Sequence, residues 1–352
     1  MTTASTSGSG PLRLALLGCG HIGQAVYLPL LRGRADAHLS VIADASDEAR
    51  KRASELTRNG VPVIADWRDA LGRDDLDGVI VALPSARHAE AACAAFARRL
   101  HVYVEKPLAT SVSDAQAVLA AHRAAGTFGT VGFNYRFNPL YRGLRARVRS
   151  GAIGNVRVVR TIFSSPRRAT TGWRESRGKG GGVLLELGSH HADLIRWLTG
   201  AEAATIQCLV TGGDDASQCT SVHLGLDSGA SAQMLLAFGT IAEDRVEVIG
   251  DGGAIHVNRY RSLMPEVRGV DVPGRIDTVK GFWRSLPHLP YLLAKMASPW
   301  HEPSHGTALD RFVGGTQGAA SDGPTLADGL ASLRIVLAAE ESAASGRTVL
   351  LE

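Results

Sequence analysis

Apolar residues in the first third of the chain come in short runs, set apart by stretches where they recur every third or fourth position. The runs Leu12–Leu17, Leu39–Asp44, Pro62–Ala65, Gly78–Leu83, His101–Val104 and Phe128–Gly132 predict strands. The segments between them, including Ser46–Arg58, Ala86–Arg99 and Ser113–Ala125, predict helices, the last closed by Gly126. Regular alternation of strand and helix implies an α/β fold with a doubly wound parallel sheet. Ligands of such a sheet bind beyond the carboxyl ends of its strands. Gly18, Asp44, Pro84, Lys106 and Phe133 each follow a strand end, so all five are expected on one edge.

After Asn138-Pro139, an N-cap followed by an N1 proline, a helix is expected up to Gly151, and then the pattern changes. Val156–Phe163, Thr205–Leu209, Ser221–Leu226, Ala230–Phe238 and Arg245–Ile249 alternate apolar with polar and are parted by turn residues instead of helices. They predict a large, mostly antiparallel open sheet in an α+β domain. One helix, Val183 to Thr199, interrupts it, and a last one runs from near Thr325 to Gly346. The segment Phe282–Pro303 mixes Trp, Tyr and Pro and is expected to wrap the surface or a partner subunit. Residues 1–10 read as a disordered leader, 11–132 as the first domain and 133–352 as the second.

Composition narrows the classes. A chain of 352 residues with 45% apolar content and a net charge of +4 is an ordinary globular protein with room for two cores. Its arginines are scattered without a basic tract, which argues against nucleic acid. The four cysteines, Cys19, Cys93, Cys208 and Cys219, lack CxxC spacing, so reduced thiols are expected and no metal motif is present. Neither a signal peptide nor a membrane-length apolar run is evident, and a cytoplasmic location away from membranes follows as the expectation.

Three segments carry candidate chemistry. Gly18-Cys19-Gly20-His21-Ile22-Gly23 joins a strand to a helix, the arrangement that a dinucleotide pyrophosphate requires. Asp44 closes the next strand where a carboxylate can accept hydrogen bonds from ribose hydroxyls. It favours NAD(H) over NADP(H), whose 2′-phosphate would meet like charge. Lys106, between Glu105 and Pro107, directly follows a buried strand. Lysine is rarely buried unpaired, so it is a candidate donor to a substrate oxygen, and Pro107 admits a cis bond. The third segment runs from Gly180-Gly181-Gly182 to Asp193. In an α-helix Glu186, His190 and Asp193 share one stripe, and a carboxylate one turn from an imidazole orients and tunes a general base. Gly188 suggests close approach of a backbone or of cofactor, and His191, off the stripe, reads as a packing or solvent position.

In this order, the phosphate loop, Glu105-Lys106-Pro107, Gly132-Phe133-Asn134-Tyr135-Arg136-Phe137-Asn138-Pro139, Trp173-Arg174 and the glycine-to-Asp193 helix resemble the Gfo/Idh/MocA family of oxidoreductases. The resemblance spans about residues 11 to 350. It implies an N-terminal Rossmann domain and a C-terminal sheet that makes homo-oligomer contacts (dimer or tetramer). It also implies pyridine-nucleotide-dependent chemistry at a secondary carbon of a sugar or cyclitol. On this chain it places cofactor and substrate-oxygen binding on Lys106, acid/base catalysis on His190, and substrate contacts on Asp193, Arg136 and Trp173. Cofactor contacts would fall on Gly18, Gly20, His21, Ile22, Gly23, Asp44, Leu83, Pro84, Ser85, His88 and Glu105. The acid four residues before the histidine is commonly aspartate in the family and is Glu186 here. Two other readings are an enzyme that retains NAD and uses transient oxidation to drive elimination, and a non-catalytic cofactor-sensing regulator. Lys106 and His190 argue against the regulator.

Overall fold

The computed structural model describes residues 10–58, 60–166, 177, 180–212, 219–269, 289–297 and 302–351. Its chain divides into two compact units, Met1–Phe133 with His305–Leu330, and Asn134–Ser304 with Ala331–Glu352. Among the described residues no helix is long and apolar enough to cross a membrane.

The first unit is built on a six-stranded sheet, β1 (Leu12–Leu17), β2 (Ala37–Ala43), β3 (Val63–Ile64), β4 (Gly78–Val81), β5 (His101–Val104) and β6 (Gly129–Val131). Their order is β3-β2-β1-β4-β5-β6 and every pairing is parallel. Parallel strands are covered on both faces, and all four residues of β4, Gly-Val-Ile-Val, are buried. The helices begin and end where side-chain chemistry permits. Ser46 and Ser111 cap Asp47–Leu56 and Val112–Ala125 by accepting backbone N–H bonds, and Gly126 closes the second helix in the left-handed region at φ 66°.

The expected division of the chain needs one correction, because 133–352 does not stay together. The helix Ser304–Thr316, which the sequence reading did not anticipate, buries Leu309, Phe312 and Val313. Phe312 meets Tyr103 of β5 edge-to-face at 5.8 Å, and the ring of Phe128 occupies the space that a side chain on Gly315 would need. These apolar contacts assign His305–Leu330 to the first unit. The expected leader lies outside the described residues except for Gly10.

The second unit carries an eight-stranded sheet in the order β13-β12-β11-β7-β10-β9-β8-β14. Its strands are β7 (Val156–Ser165), β8 (Ala203–Thr211), β9 (Cys219–Leu226), β10 (Ser231–Phe238), β11 (Glu243–Gly250), β12 (Gly253–Asn258), β13 (Glu266–Gly269) and β14 (Val349–Leu350). All pairings are antiparallel except β7 with β10, and β12, β13 and β14 add to the strands expected from sequence. Burial alternates along β9, β10 and β11, so one face packs inward. On the other face, Leu209, Ser221, Leu235, Ile162 and Arg245 lie side by side across five strands, with Leu209 66% and Leu235 42% exposed. The helix Leu326–Ser345 starts with a reciprocal box: Asp328 N–H donates to Thr325 Oγ1 at 3.1 Å, and Thr325 N–H donates to Asp328 Oδ2 at 2.8 Å. Half of the Phe282–Pro303 segment lies outside the described residues, and Leu289–Ala297 within it is helical.

Candidate active site

Each unit carries its own set of candidate side chains. In the first, the parallel sheet brings Gly18, Asp44, Leu83–Ser85 and Glu105–Lys106 to the carboxyl edge of β1, β2, β4 and β5. The three glycines of the phosphate loop divide the labour that a dinucleotide requires. Gly18 stands at φ 91°, and a Cβ there would lie 2.4 Å from the Ala82 carbonyl oxygen and 2.7 Å from Leu83 N. A Cβ on Gly20 would meet nothing within 4 Å, leaving the backbone open to a phosphate, whereas one on Gly23 would press on the Gly18 carbonyl at 2.9 Å. Tight turn, open approach and close helix packing are therefore all present, and these residues fit a bound dinucleotide. His21 is exposed and Ile22 half-buried beside this opening. The following helix opens with a wide turn, Gly23–Tyr27, closed by Leu28 N–H to the Gly23 carbonyl.

Asp44 braces this loop. Its Oδ2 accepts the Cys19 N–H at 2.7 Å and its Oδ1 the Ser46 N–H at 2.8 Å. Arg50 donates to the carbonyls of Asp44 and Ala45, each at 2.8 Å, and pairs with Asp47. Burial, together with the Asp44 charge, pushes the Cys19 thiol up to about 12, so it remains a thiol and not a nucleophile.

The backbone around Lys106 is fastened from several sides. Its N–H donates to Glu105 Oε2 at 3.1 Å, and Glu105 Oε1 accepts the Tyr27 hydroxyl. Burial and the Glu105 charge raise the Tyr27 phenol well above its ordinary value and keep it a donor. The Lys106–Pro107 bond is cis. The Pro107 carbonyl meets His88 Nδ1 at 2.7 Å, and the Leu83 carbonyl meets Nε2 at 2.7 Å. His88 is thus buried between the loops after β4 and β5. Burial pushes its pKa down against the pull of these carbonyls and of Glu105, and a neutral ring would donate to only one of them.

In the second unit, the helix that bears His190 departs from the sequence reading. Leu184–Gly188 is wound as a π-turn, closed by Ser189 N–H to the Leu184 carbonyl, before the α-helix Ser189–Thr199. The i, i+4, i+7 stripe assumed an unbroken α-helix, whereas Glu186 lies inside the π-turn and His190 and Asp193 lie in the α-helix that follows. His190, His191 and Asp193 are all buried, and Glu186 is half-buried. The close approach at Gly188 is that of a side chain: a Cβ there would lie 3.0 Å from Leu236 Cδ1 of β10.

Arg136 and Asp193, both expected to line a substrate pocket, grip each other through Nε–Oδ2 at 2.8 Å and NH2–Oδ1 at 2.5 Å. A bidentate buried pair of this kind fixes geometry as much as it offers contacts. Trp173 lies outside the described residues. His190 is stacked on Tyr135, with ring centroids 4.3 Å apart and planes at 15°. His191 has no solvent exposure: it stacks on Phe163 at 5.1 Å, and its Nε2 lies 3.2 Å from Asp244 Oδ1.

Sequence reasoning missed Asp244. It is fully buried at the start of β11 and also takes the Tyr141 hydroxyl at 2.6 Å and Arg259 Nε at 2.6 Å. Arg259 reaches on to Glu302 Oε2 at 3.0 Å. Burial alone would push the Asp244 carboxyl up, but the Arg259 charge and the His191 and Tyr141 hydrogen bonds hold it well below the usual carboxylate range. The available signal was an acidic residue just ahead of the expected strand Arg245–Ile249, and sequence there does not distinguish a buried position from a solvated one.

Comparison with known proteins identifies the family. Residues 12–133 match the model for the oxidoreductase family with an NAD-binding Rossmann fold, and residues 141–256 match the GFO/IDH/MocA C-terminal domain. The chain belongs to the GFO/IDH/MocA family of oxidoreductases. It is 27% identical to inositol 2-dehydrogenase of Rhizobium meliloti (strain 1021) over 349 residues, covering 96% of this chain and 98% of that protein. It is likewise 27% identical to 1,5-anhydro-D-fructose reductase of Ensifer adhaerens, covering 97% and 98%. The crystal structure of the WlbA dehydrogenase from Bordetella pertussis, in complex with NADH and UDP-GlcNAcA, shares the fold with a TM-score of 0.82 at 22% identity, covering 99% of each chain.

Replacing Asp244 with Asn removes the carboxylate that meets Arg259 Nε and leaves Glu302 as its remaining ion-pair partner. Urea unfolding of Asp244→Asn should show a loss of about 3–5 kcal/mol, the cost of breaking a buried pair. Because the folded pKa is depressed, the wild-type contribution is present above the ordinary carboxylate value of 3.8 and fades as the pH falls below it. The gap between the two proteins should narrow there, and equal urea midpoints at neutral pH would refute the assignment.

Proposed function

We propose that this oxidoreductase uses NAD(H) to interconvert a secondary alcohol and a ketone on a sugar or cyclitol. The observation that carries the reading is the phosphate loop, with its three glycines in three distinct steric roles, on the same sheet edge as the braced Glu105-Lys106-cis-Pro107 segment. The relatives covered over nearly their whole length act, by name, on inositol and anhydrofructose, which supports the substrate class. Bound at this edge, the nicotinamide would supply or accept the hydride.

The chain's own residues have separate tasks. Gly18, Gly20, Ile22 and Gly23 would present backbone to the pyrophosphate, with His21, Leu83, Pro84 and Ser85 around it. His88 and Glu105 hold the Lys106 segment still. Lys106 donates a hydrogen bond to the oxygen of the reacting carbon, where charge develops. His190 takes or returns the hydroxyl proton, and Glu186 is assigned as its tuning carboxylate. Arg136, Asp193 and Trp173 are assigned to the substrate. Asp44 would accept hydrogen bonds from the ribose hydroxyls. Arg50, the cation that could have welcomed a 2′-phosphate, is occupied by two carbonyls and Asp47, which favours NAD(H) over NADP(H). The row Leu209–Ser221–Leu235–Ile162–Arg245, with both leucines exposed, supports self-association through the open sheet face, as a dimer or tetramer.

Turnover is measured by the absorbance of reduced nicotinamide across inositols, aldoses and sugar nucleotides with NAD and NADP. An enzyme that retains its cofactor would give no net signal. Lys106→Ala should lower the rate by roughly 10²–10³-fold, and His190→Ala by roughly 10²–10⁴-fold with cofactor affinity kept. Near-native rates in folded variants refute those roles. In cofactor titrations NAD(H) should bind more tightly than NADP(H), and Asp44→Ala should narrow the difference; equal wild-type affinities count against the preference. Sedimentation equilibrium should report a multimer that Leu235→Arg weakens, whereas a monomeric wild type dismisses the interface.

A further inference from the structure

Next to the proposed acid/base stands a group of residues that no catalytic role has absorbed. Tyr135 sits inside the Asn134–Phe137 turn, 5% exposed, and packs its ring flat on the His190 imidazole. The same tyrosine ring is flanked by Tyr141 at 5.5 Å and Phe163 at 6.2 Å. The guanidinium carbon of Arg259 stands 4.8 Å from its centroid. Arg259 has little freedom to leave. Its Nε donates to Asp244, its NH1 to Glu302 and its NH2 to the Tyr260 hydroxyl at 2.8 Å, while its own N–H donates to the Asp244 carbonyl at 2.7 Å.

The plane of a histidine ring is weakly set by its own torsion, since χ2 is broad. A base has to aim a ring nitrogen, so some neighbour must define that plane. We propose that Tyr135 is a positioning residue that sets the plane of the His190 imidazole, and that the Arg259–Asp244 pair keeps Tyr135 in place. Asp244 acts on His190 by a second route, because it also holds His191, the next residue of the same helix. Ring plane and helix position are thus tied to one buried anion. The inference rests on the assignment of His190 as the acid/base.

Two substitutions separate ring from hydroxyl. Tyr135→Phe keeps the aromatic face, and Tyr135→Leu fills the space without one. In proton NMR, the His190 ring resonances, assigned by their loss in His190→Gln, should lie upfield in wild type and Tyr135→Phe because of the stacked ring. They should move downfield in Tyr135→Leu. On the best substrate of the panel above, Tyr135→Leu should lose roughly 10- to 100-fold in kcat, the scale of a misplaced reacting group. KM and cofactor affinity should hold, and Tyr135→Phe should restore kcat. A purely structural tyrosine would lower stability without dividing kcat from KM. If Tyr135→Leu does not fold, Tyr135→Met, more adaptable in a packed site, replaces it. His190 resonances unmoved in the leucine variant, or moved with kcat unchanged, overturn the proposal. An active His190→Ala instead refutes the acid/base reading itself, whatever Tyr135 does.

Discussion

Parallel pairing constrains the first unit more than any single contact does. Each strand must return to the same end of the sheet before the next begins, so helices fill the returns and every strand finishes on one edge. The order β3-β2-β1-β4-β5-β6 reverses direction between β1 and β4, and a crevice opens beyond such a reversal. That is why residues as far apart in sequence as Gly18, Asp44, Leu83 and Lys106 share an edge. The bonds found there serve the same geometry. Asp44 ties the phosphate loop to the end of β2, and His88 ties the loop after β4 to the loop after β5.

The second unit is governed by the cost of a buried charge. An unpaired carboxylate in a water-free interior would take up a proton, so one that remains ionised must gather partners. Asp244 gathers Tyr141, His191 and Arg259, which come from three different parts of the unit. The Arg136–Asp193 pair meets the same requirement. The first of these networks borders the Tyr135–His190 stack through Arg259, which stands over the Tyr135 ring and has few alternatives.

Two of the helices that carry proposed functional residues contain a π-turn, Gly23–Tyr27 after the phosphate loop and Leu184–Gly188 before His190. A wide turn is costly in isolation and often occurs at functional sites. In each case it rotates the residues on one side of it relative to those on the other. The stripe of Glu186, His190 and Asp193 assumed α-helical spacing throughout, and sequence spacing alone does not reveal a turn closed at i+5.

The chain by itself determined its periodicities. Runs such as Leu12–Leu17 and His101–Val104 were legible as strands to the residue, because burial on both faces demands continuous apolar side chains. Asn138-Pro139 and Ser46 marked helix starts through local hydrogen bonds that need no distant partner. Lys106 and His190 stood out because their chemistry is unusual where they occur. Tertiary structure decided what depends on contacts between remote segments. It placed Ser304–Thr316 against Tyr103 and Phe128, paired β7 with β10 in parallel, and set Leu236 against Gly188. It also turned Asp244, Arg259 and Tyr135 from unremarkable residues into a buried network. Local pattern records only whether a position prefers water or core, whereas the partner that makes a charge tolerable inside is chosen by the packing of the whole unit.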